Sequence, residues 1–413
     1  MSSQASPAEA PGVDSPYAWS RLMVTLALMT IGASGMYIVP VVLPVVQADF
    51  GIARADAALP YSMLMLGWGV GGMLAGRLAD RFGILVPLVI GAISMGAGYA
   101  ISAYAPNILV FGLAHGFLIG LFGGSSTFAP LMADTTLWFE KRRGMAVAIC
   151  ASGNYLGGTI WPPVVQYFVE TLGWRQTYIG MAIFCGITMF LLALCMRRRP
   201  PLIIASRSAS GAVMSNERPF GMSQPAALAL LMIAGVACCV AMSMPQVHIV
   251  AYCGDLGYGA ARGAEMLSIM LGFGIVSRLF FGWLCDRIGG LLTLLTGSFL
   301  QMVALFLFLP FDGLVPLYVI SALFGLFQGG IVPAYAIIVR EHFPAAKVGA
   351  TVGTVIMCTL AGMALGGWMS GKVFDLTGSY QAAFINGILW NWLNLAIAGF
   401  LFWRVRGLRL ARA

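Results

Sequence analysis

Arg278 is a cation in a stretch apolar enough to cross lipid. It closes the run Ser268-Ile-Met-Leu-Gly-Phe-Gly-Ile-Val-Ser-Arg278 and is followed by Leu-Phe-Phe-Gly282. A charge at that depth costs at least ~2.5–3.5 kcal/mol on insertion scales, so it faces protein or a wet cavity and takes a partner. No acid lies at that depth in any predicted span. The simplest partner is then an anion that arrives and leaves. A guanidinium is always charged, and its planar fork matches a carboxylate with two hydrogen bonds. The chemistry expected of Arg278 is reversible capture of an organic carboxylate. Capping the carbonyls of a broken helix, or stacking on an aromatic face, is the structural alternative. Arg278 lies about eight residues before Asp286, roughly 12 Å of helix, and so near the membrane middle.

The rest of such a molecule needs other groups. Tyr37, Asn154, His248 and Tyr335 are polar residues in predicted spans 1, 5, 7 and 10. For each, packing or an interhelical hydrogen bond is an alternative use. His248 and His115 are the intramembrane groups that titrate near neutrality unperturbed. His248 lies toward the outside and is the candidate for proton coupling.

Composition excludes other classes. Of 413 residues, 60% are hydrophobic and 9% charged, and mean hydropathy is +0.89, against about 25% charged in soluble domains. Twelve spans of ~20 residues would use this apolar content. An enzyme would need a nucleophile with a base, paired carboxylates or metal ligands at depth. The spans offer isolated histidines, so no catalytic residue, cofactor or metal is expected. The net charge of +8 does not form a nucleic-acid surface, because Arg197–Arg199 and the Arg404, Arg406, Arg409, Arg412 tail directly follow spans and read as membrane anchors. The eight cysteines read as small packing residues.

Spans are expected near 20–46, 58–79, 84–104, 107–133, 143–168, 175–196, 225–251, 263–284, 290–310, 314–340, 347–372 and 380–404. Residues 1–17 read as a disordered tail. They lack the basic start of a signal peptide, so the first apolar run reads as a retained helix. Two six-helix bundles, 18–197 and 224–404, flank a polar linker at 198–223, and 405–413 form a basic tail. Most of the 23 Lys and Arg gather on the side of the termini and linker, while Arg54, Arg175, Arg262 and Lys372 fall on the other. The positive-inside rule puts the basic side in the cytoplasm of a cell inner (plasma) membrane.

The halves repeat. Gly76-Arg-Leu-Ala-Asp80-Arg81-Phe-Gly83 recurs as Gly282-Trp-Leu-Cys-Asp286-Arg287-Ile-Gly289, and Gly120-Leu-Phe-Gly-Gly124 recurs as Gly325-Leu-Phe-Gln-Gly-Gly330. Repeated bundles around a midplane site are a transporter plan. Asp80, Arg81, Asp286 and Arg287 sit at cytoplasmic helix ends, where they are expected to latch that side with Asp134 or Glu140 as partners. Small-x-x-x-small pairs such as Gly67/Gly71, Gly153/Gly157 and Gly362/Gly366 let helices approach closely. Trp161-Pro162-Pro163 predicts a kink in span 5.

The repeated loop element resembles the signature of the major facilitator superfamily. Within it, Trp138-Phe-Glu-Lys-Arg142-Arg143-Gly-Met-Ala-Val-Ala and Gly153-Asn-Tyr-Leu-Gly157-Gly158 are similar to the span-5 entry of monocarboxylate transporters and oxalate:formate antiporters. The resemblance covers nearly all of the chain outside tails and linker. It implies a twelve-helix, all-α carrier in which a span-8 arginine, here Arg278, binds substrate carboxylate, and it sets Tyr335 near a cavity tyrosine. Two departures matter. Oxalate carriers hold a second basic residue in span 11, and none lies between Lys347 and Lys372. Animal monocarboxylate transporters pair the arginine with an aspartate one turn earlier, where this chain has Gly274, and hold a span-1 lysine that is missing here. The expectation is alternating-access transport of lactate- or pyruvate-like monocarboxylates with proton symport, by a monomer in the bilayer. Exchange of oxalate- or formate-like anions is the alternative.

Overall fold

A computed structural model describes residues 13–198, 219–344 and 347–410. Most of the expected linker, residues 1–12 and residues 411–413 lie outside these. The first bundle contains α1 (Pro16–Gly32), α2 (Ser34–Phe50), α3 (Arg54–Phe82), α4 (Leu85–Ala103), α5 (Ile108–Leu113), α6 (Ala129–Thr136), α7 (Arg143–Leu172) and α8 (Trp174–Cys195). The second contains α9 (Gln224–Asp255), α10 (Ala260–Ile288), α11 (Gly290–Leu307), α12 (Leu314–Gln328), α13 (Ile331–His342), α14 (Val348–Thr377) and α15 (Tyr380–Leu410). Among the described residues, 11 helical stretches are long and apolar enough to cross a membrane. The twelfth long helix is α7, whose middle carries Ser152, Asn154, Thr159 and two prolines.

Helices break where the sequence repeats its glycines. Between α5 and α6 the chain passes through π geometry at Ala114–Gly123 and 3₁₀ geometry at Gly124–Thr127. The matching break in the second bundle falls between α12 and α13, at Gly329 and Gly330. There a Cβ on Gly329 would sit 2.5 Å from the Gly274 carbonyl oxygen, and one on Gly330 would sit 2.0 Å from Phe281. Gly325, one turn earlier, is tighter still, with the Met270 carbonyl oxygen 1.9 Å from its ideal Cβ. That atom is backbone and cannot swing aside. Gly325→Ala is expected to lower the melting temperature by several degrees, since overpacking costs about 1–3 kcal/mol. Gly353→Ala, where nothing lies within 4 Å, should leave it unchanged. A thermal melt of the two purified variants compares them.

α7 runs on through Pro162-Pro163. A proline removes the hydrogen bond to the carbonyl four residues back, which for Pro163 is that of Thr159. Ser268 Oγ of α10 donates to this freed carbonyl. The proline thus supplies an acceptor that ties the two bundles together. Trp161 Nε1 donates to Thr30 O (2.8 Å), beside the break between α1 and α2.

The tail expected at 1–17 is ordered at its end. Ser15 caps α1 through the Ala18 N–H, and Asp14 Oδ2 accepts from the backbone of Glu140 and Lys141.

Candidate functional site

The two bundles touch along α3–α14 and α7–α10. Toward the side away from the chain termini, Gly371 of α14 packs on Ala55 and Gly367 on Tyr61, and past the middle of α3 Gly69 meets Met357. Ser62 Oγ donates to Ala364 O (2.6 Å). Toward the terminal side, a Cβ on Gly72 or Gly76 of α3, Gly349 or Gly353 of α14, Gly144 of α7 or Gly282 of α10 would meet nothing within 4 Å. Close glycine packing between the bundles is found from the far side to just past the middle of α3.

Arg278 sits between α7 and α10, and it is half-buried. Its Nη1 donates to Ala151 O (3.1 Å), and its guanidinium carbon lies 4.3 Å from the Tyr155 ring centroid. Both partners belong to the opposite bundle and neither carries charge. Nε is buried and has no hydrogen-bond partner among the described residues. Two of the uses open to such an arginine are thus realised, carbonyl capping and ring stacking, and one buried donor is left over. Leaving a buried donor unmet costs about 1–3 kcal/mol, more when it is charged.

Gly274 makes this placement possible. Its ideal Cβ would lie 2.6 Å from the Tyr155 ring, so any side chain there would displace the ring from Arg278. An aspartate at this position cannot coexist with this placement of the tyrosine. Tyr37 of α2 donates to Asn154 Oδ1 (3.0 Å), and a Cβ on Gly158 would press on both the Tyr37 ring and Leu271. Arg278, Tyr37 and Asn154 therefore belong to one neighbourhood, with Tyr155 added by the fold.

Tyr335 and His248 lie elsewhere. The Tyr335 hydroxyl donates to Asn394 Oδ1 (2.9 Å), and Asn394 Nδ2 reaches Ser298 Oγ (2.7 Å), inside the second bundle. His248 joins a network at the far side. Its Nε2 lies 2.8 Å from Gly367 O. A carbonyl only accepts, so Nε2 carries the proton. Nδ1 then accepts from Tyr380 Oη (3.2 Å), which itself accepts from Arg54 Nη1 (2.6 Å).

Arg54 is more than an outer-loop charge, since it is 8% exposed and joins the bundles. Its Nη1 and Nη2 grip Asp255 of α9 with a two-pronged contact (3.0 and 3.2 Å). Its guanidinium lies over Phe374 at 4.5 Å. Asp375 of α14 accepts from the Arg54 and Ala55 backbone N–H groups (both 2.9 Å). The N-terminus of α3, whose own N-cap residue Ala53 makes no side-chain bond, is capped by the opposite bundle.

On the terminal side the charges pair otherwise than expected. Asp134 binds Arg21 (2.9 Å), and Arg21 is 4% exposed within α1. Arg278 is therefore not the one charge inside a span. Arg21 lies inside the predicted first span, and α6 runs on past the predicted end of span 4 to take in Asp134. Arg21 also donates to Met196 O (3.2 Å) and lies 4.7 Å from the Trp138 ring. It fills the place predicted for Arg81. Arg81 and Arg287 lie over Phe82 and Trp283. Among the described residues, Asp80, Arg81, Asp286 and Arg287 form no ion pair.

Comparison with known proteins agrees with this architecture. A family model described as Major Facilitator Superfamily matches residues 24–366 and, in a second match, 266–411. Monocarboxylate transporter 13 of Rattus norvegicus is 26% identical over 340 residues, covering 80% of this chain and 75% of the relative. An uncharacterized MFS-type transporter of Bacillus subtilis, YcxA, is 24% identical over 346 residues, covering 82% and 83%. The human Monocarboxylate transporter 11 is 27% identical over 327 residues, covering 75% and 66%. Among solved structures, a single-residue mutant of the nucleoside transporter NupG aligns with a TM-score of 0.73 at 13% identity, covering 93% of this chain and 99% of its own. A bacterial homolog of the human lysosomal transporter Spinster, in an inward-facing and occupied conformation, aligns at 0.67 and 14%, covering 95% and 97%. At these identities the two structures speak for the fold.

Proposed function

This chain belongs to the Major Facilitator Superfamily, and we propose that it carries small monocarboxylates of the lactate or pyruvate type by alternating access, with Arg278 holding the carboxylate. The observation that carries this reading is a guanidinium at the bundle interface whose buried Nε is unpaired, and which bonds no acid, among the described residues. One cation suits one carboxylate. A dianion would leave excess negative charge in a low-dielectric site, which disfavours oxalate. The names of the relatives point to the same substrate class.

The anion enters between the bundles and displaces neutral contacts at Arg278. Partial neutralisation lowers the cost of passing through an occluded state, so loaded carriers switch faster than empty ones. With the termini in the cytoplasm of the plasma membrane, the Arg54 end of the interface faces outward. The Arg54–Asp255–Asp375–Tyr380 network is then the outer latch, and the proton acts on it through His248. A proton on Nδ1 turns an acceptor into a donor, so His248 and Arg54 both press donors on the Tyr380 oxygen. It also sets a second positive charge beside Arg54. Protonation from outside therefore loosens the latch and favours the outward-open form.

Proteoliposome uptake tests the whole reading. An inward proton gradient is expected to drive L-lactate above its equilibrium level, and collapsing the gradient should stop it. Counterflow with no response to the gradient would reassign the carrier to exchange. No movement of any short monocarboxylate under either condition would contradict the proposal.

A further inference from the structure

Arg278 meets α7 within a single helical turn. Its Nη1 donates to Ala151 O (3.1 Å), and its guanidinium lies 4.3 Å from the Tyr155 ring. Nε and Nη2 carry the N–H groups left side by side, and neither is bonded among the described residues. That pair is the fork a carboxylate takes. Asn154 stands in the same turn of α7. Residues three and four apart share a helix face, with Cβ atoms about 5–6 Å apart, so Asn154 lies beside Ala151 and in line with Gly158. Its Oδ1 accepts from Tyr37 Oη (3.0 Å). The Tyr37 ring is seated against Gly158, whose ideal Cβ would lie 2.8 Å from it. The amide is thus held from the α2 side, and its Nδ2 makes no bond among the described residues. Asn154 is half-buried, as Arg278 is. The neighbouring hydroxyls of α7 are occupied within the helix, Ser152 Oγ on Ala148 O (2.8 Å) and Thr159 Oγ1 on Tyr155 O (2.9 Å).

We propose that Asn154 Nδ2 donates a hydrogen bond to an oxygen on the second carbon of the substrate while Arg278 holds the carboxylate. This rests on the carboxylate reading of Arg278. An oxygen on that carbon sits next to the carboxylate, so the group that reads it must stand close to the guanidinium. Asn154 shares a turn with both contacts of Arg278 on α7. An amide nitrogen only donates, so it serves a keto oxygen and a hydroxyl oxygen alike. The substrate class narrows to 2-oxo and 2-hydroxy monocarboxylates. A plain acid of the same length leaves the donor unmet, and a donor placed for a substrate oxygen rejects the analogue that lacks it.

The test uses purified full-length protein and three acids of three carbons, pyruvate, L-lactate and propionate, with binding read by calorimetry. Wild type is expected to prefer pyruvate or L-lactate over propionate by about tenfold or more. Asn154→Leu keeps the size of the side chain and removes the amide. It should bring that preference to within about twofold while propionate binds much as before. If the leucine variant does not fold, Asn154→Ala removes the same amide and is read in the same way. No preference in wild type would overturn the proposal. So would an equal loss for all three acids. A preference that survives without the amide would also overturn it and pass the role to the Tyr155 hydroxyl. Failure of the underlying reading looks different: wild type would bind none of the three acids, or Arg278→Gln would bind all three as wild type does.

Discussion

Arg278→Gln is expected to abolish saturable L-lactate uptake in proteoliposomes while the purified protein stays monodisperse. Glutamine keeps a hydrogen-bonding amide at about the position of Nε, but it removes the charge and the fork. Losing one partner of a desolvated, hydrogen-bonded charge pair costs about 2–5 kcal/mol, roughly thirtyfold to several-thousandfold in affinity. The fold has less at stake. Arg278 touches the Tyr155 face and one carbonyl, and a cation–π contact contributes about 0.5–2 kcal/mol. Arg278→Lys should retain a small part of the activity, since an ammonium keeps the charge but not the planar two-point match. Uptake in Arg278→Gln equal to wild type would be incompatible with carboxylate capture at this residue.

The second large effect is expected at Arg54. Its side chain supplies both bonds to Asp255, the bond to Tyr380 and the Phe374 contact. Arg54→Ala removes all of them and leaves Asp375 on the helix N-terminus. The pair is partly exposed at Asp255, so the loss is about 2 kcal/mol, roughly thirtyfold in the balance between closed and open outer sides. Spin labels at Tyr104 and Val315, both on the far side, exposed, and in opposite bundles, report that balance as a distance distribution. Wild type should show mainly the short distance, and Arg54→Ala should show a dominant longer one. Acidification should lengthen the wild-type distance in the same direction and move the variant little, because the latch that His248 acts on is already gone. Identical distributions in the two proteins would show that Arg54 does not hold the bundles together.

The features legible in the sequence are those written along one dimension. A charge in an apolar run is visible without a fold, so Arg278 stands out at once. The repeated glycine elements are visible too, and they mark the places where α5–α6 and α12–α13 lose helical geometry. Tyr155 is not legible in this way. Its role depends on a ring seated over Gly274 of another helix, and nothing in Gly153-Asn-Tyr-Leu announces that. The outer network draws one residue each from the ends of α3, α9, α14 and α15, so Arg54 reads as a loop charge until the ends meet. A usable signal exists: acids close the far ends of both α9 and α14, Asp255 and Asp375, opposite a basic residue opening α3. Arg21, at the edge of the first predicted span, reads as a flanking charge and Asp134 falls just past the fourth, so their buried ion pair shows only when the two helix ends meet. The use made of the α7 prolines is not legible either, since the carbonyl freed by Pro163 is satisfied by Ser268 from the partner bundle.

The most direct measurement is binding of L-lactate to the purified protein and to Arg278→Gln by titration calorimetry, free of any membrane or gradient. Saturable heat from wild type and none from the variant is the predicted pair of results. Equal binding by both proteins would place the anion somewhere other than this guanidinium.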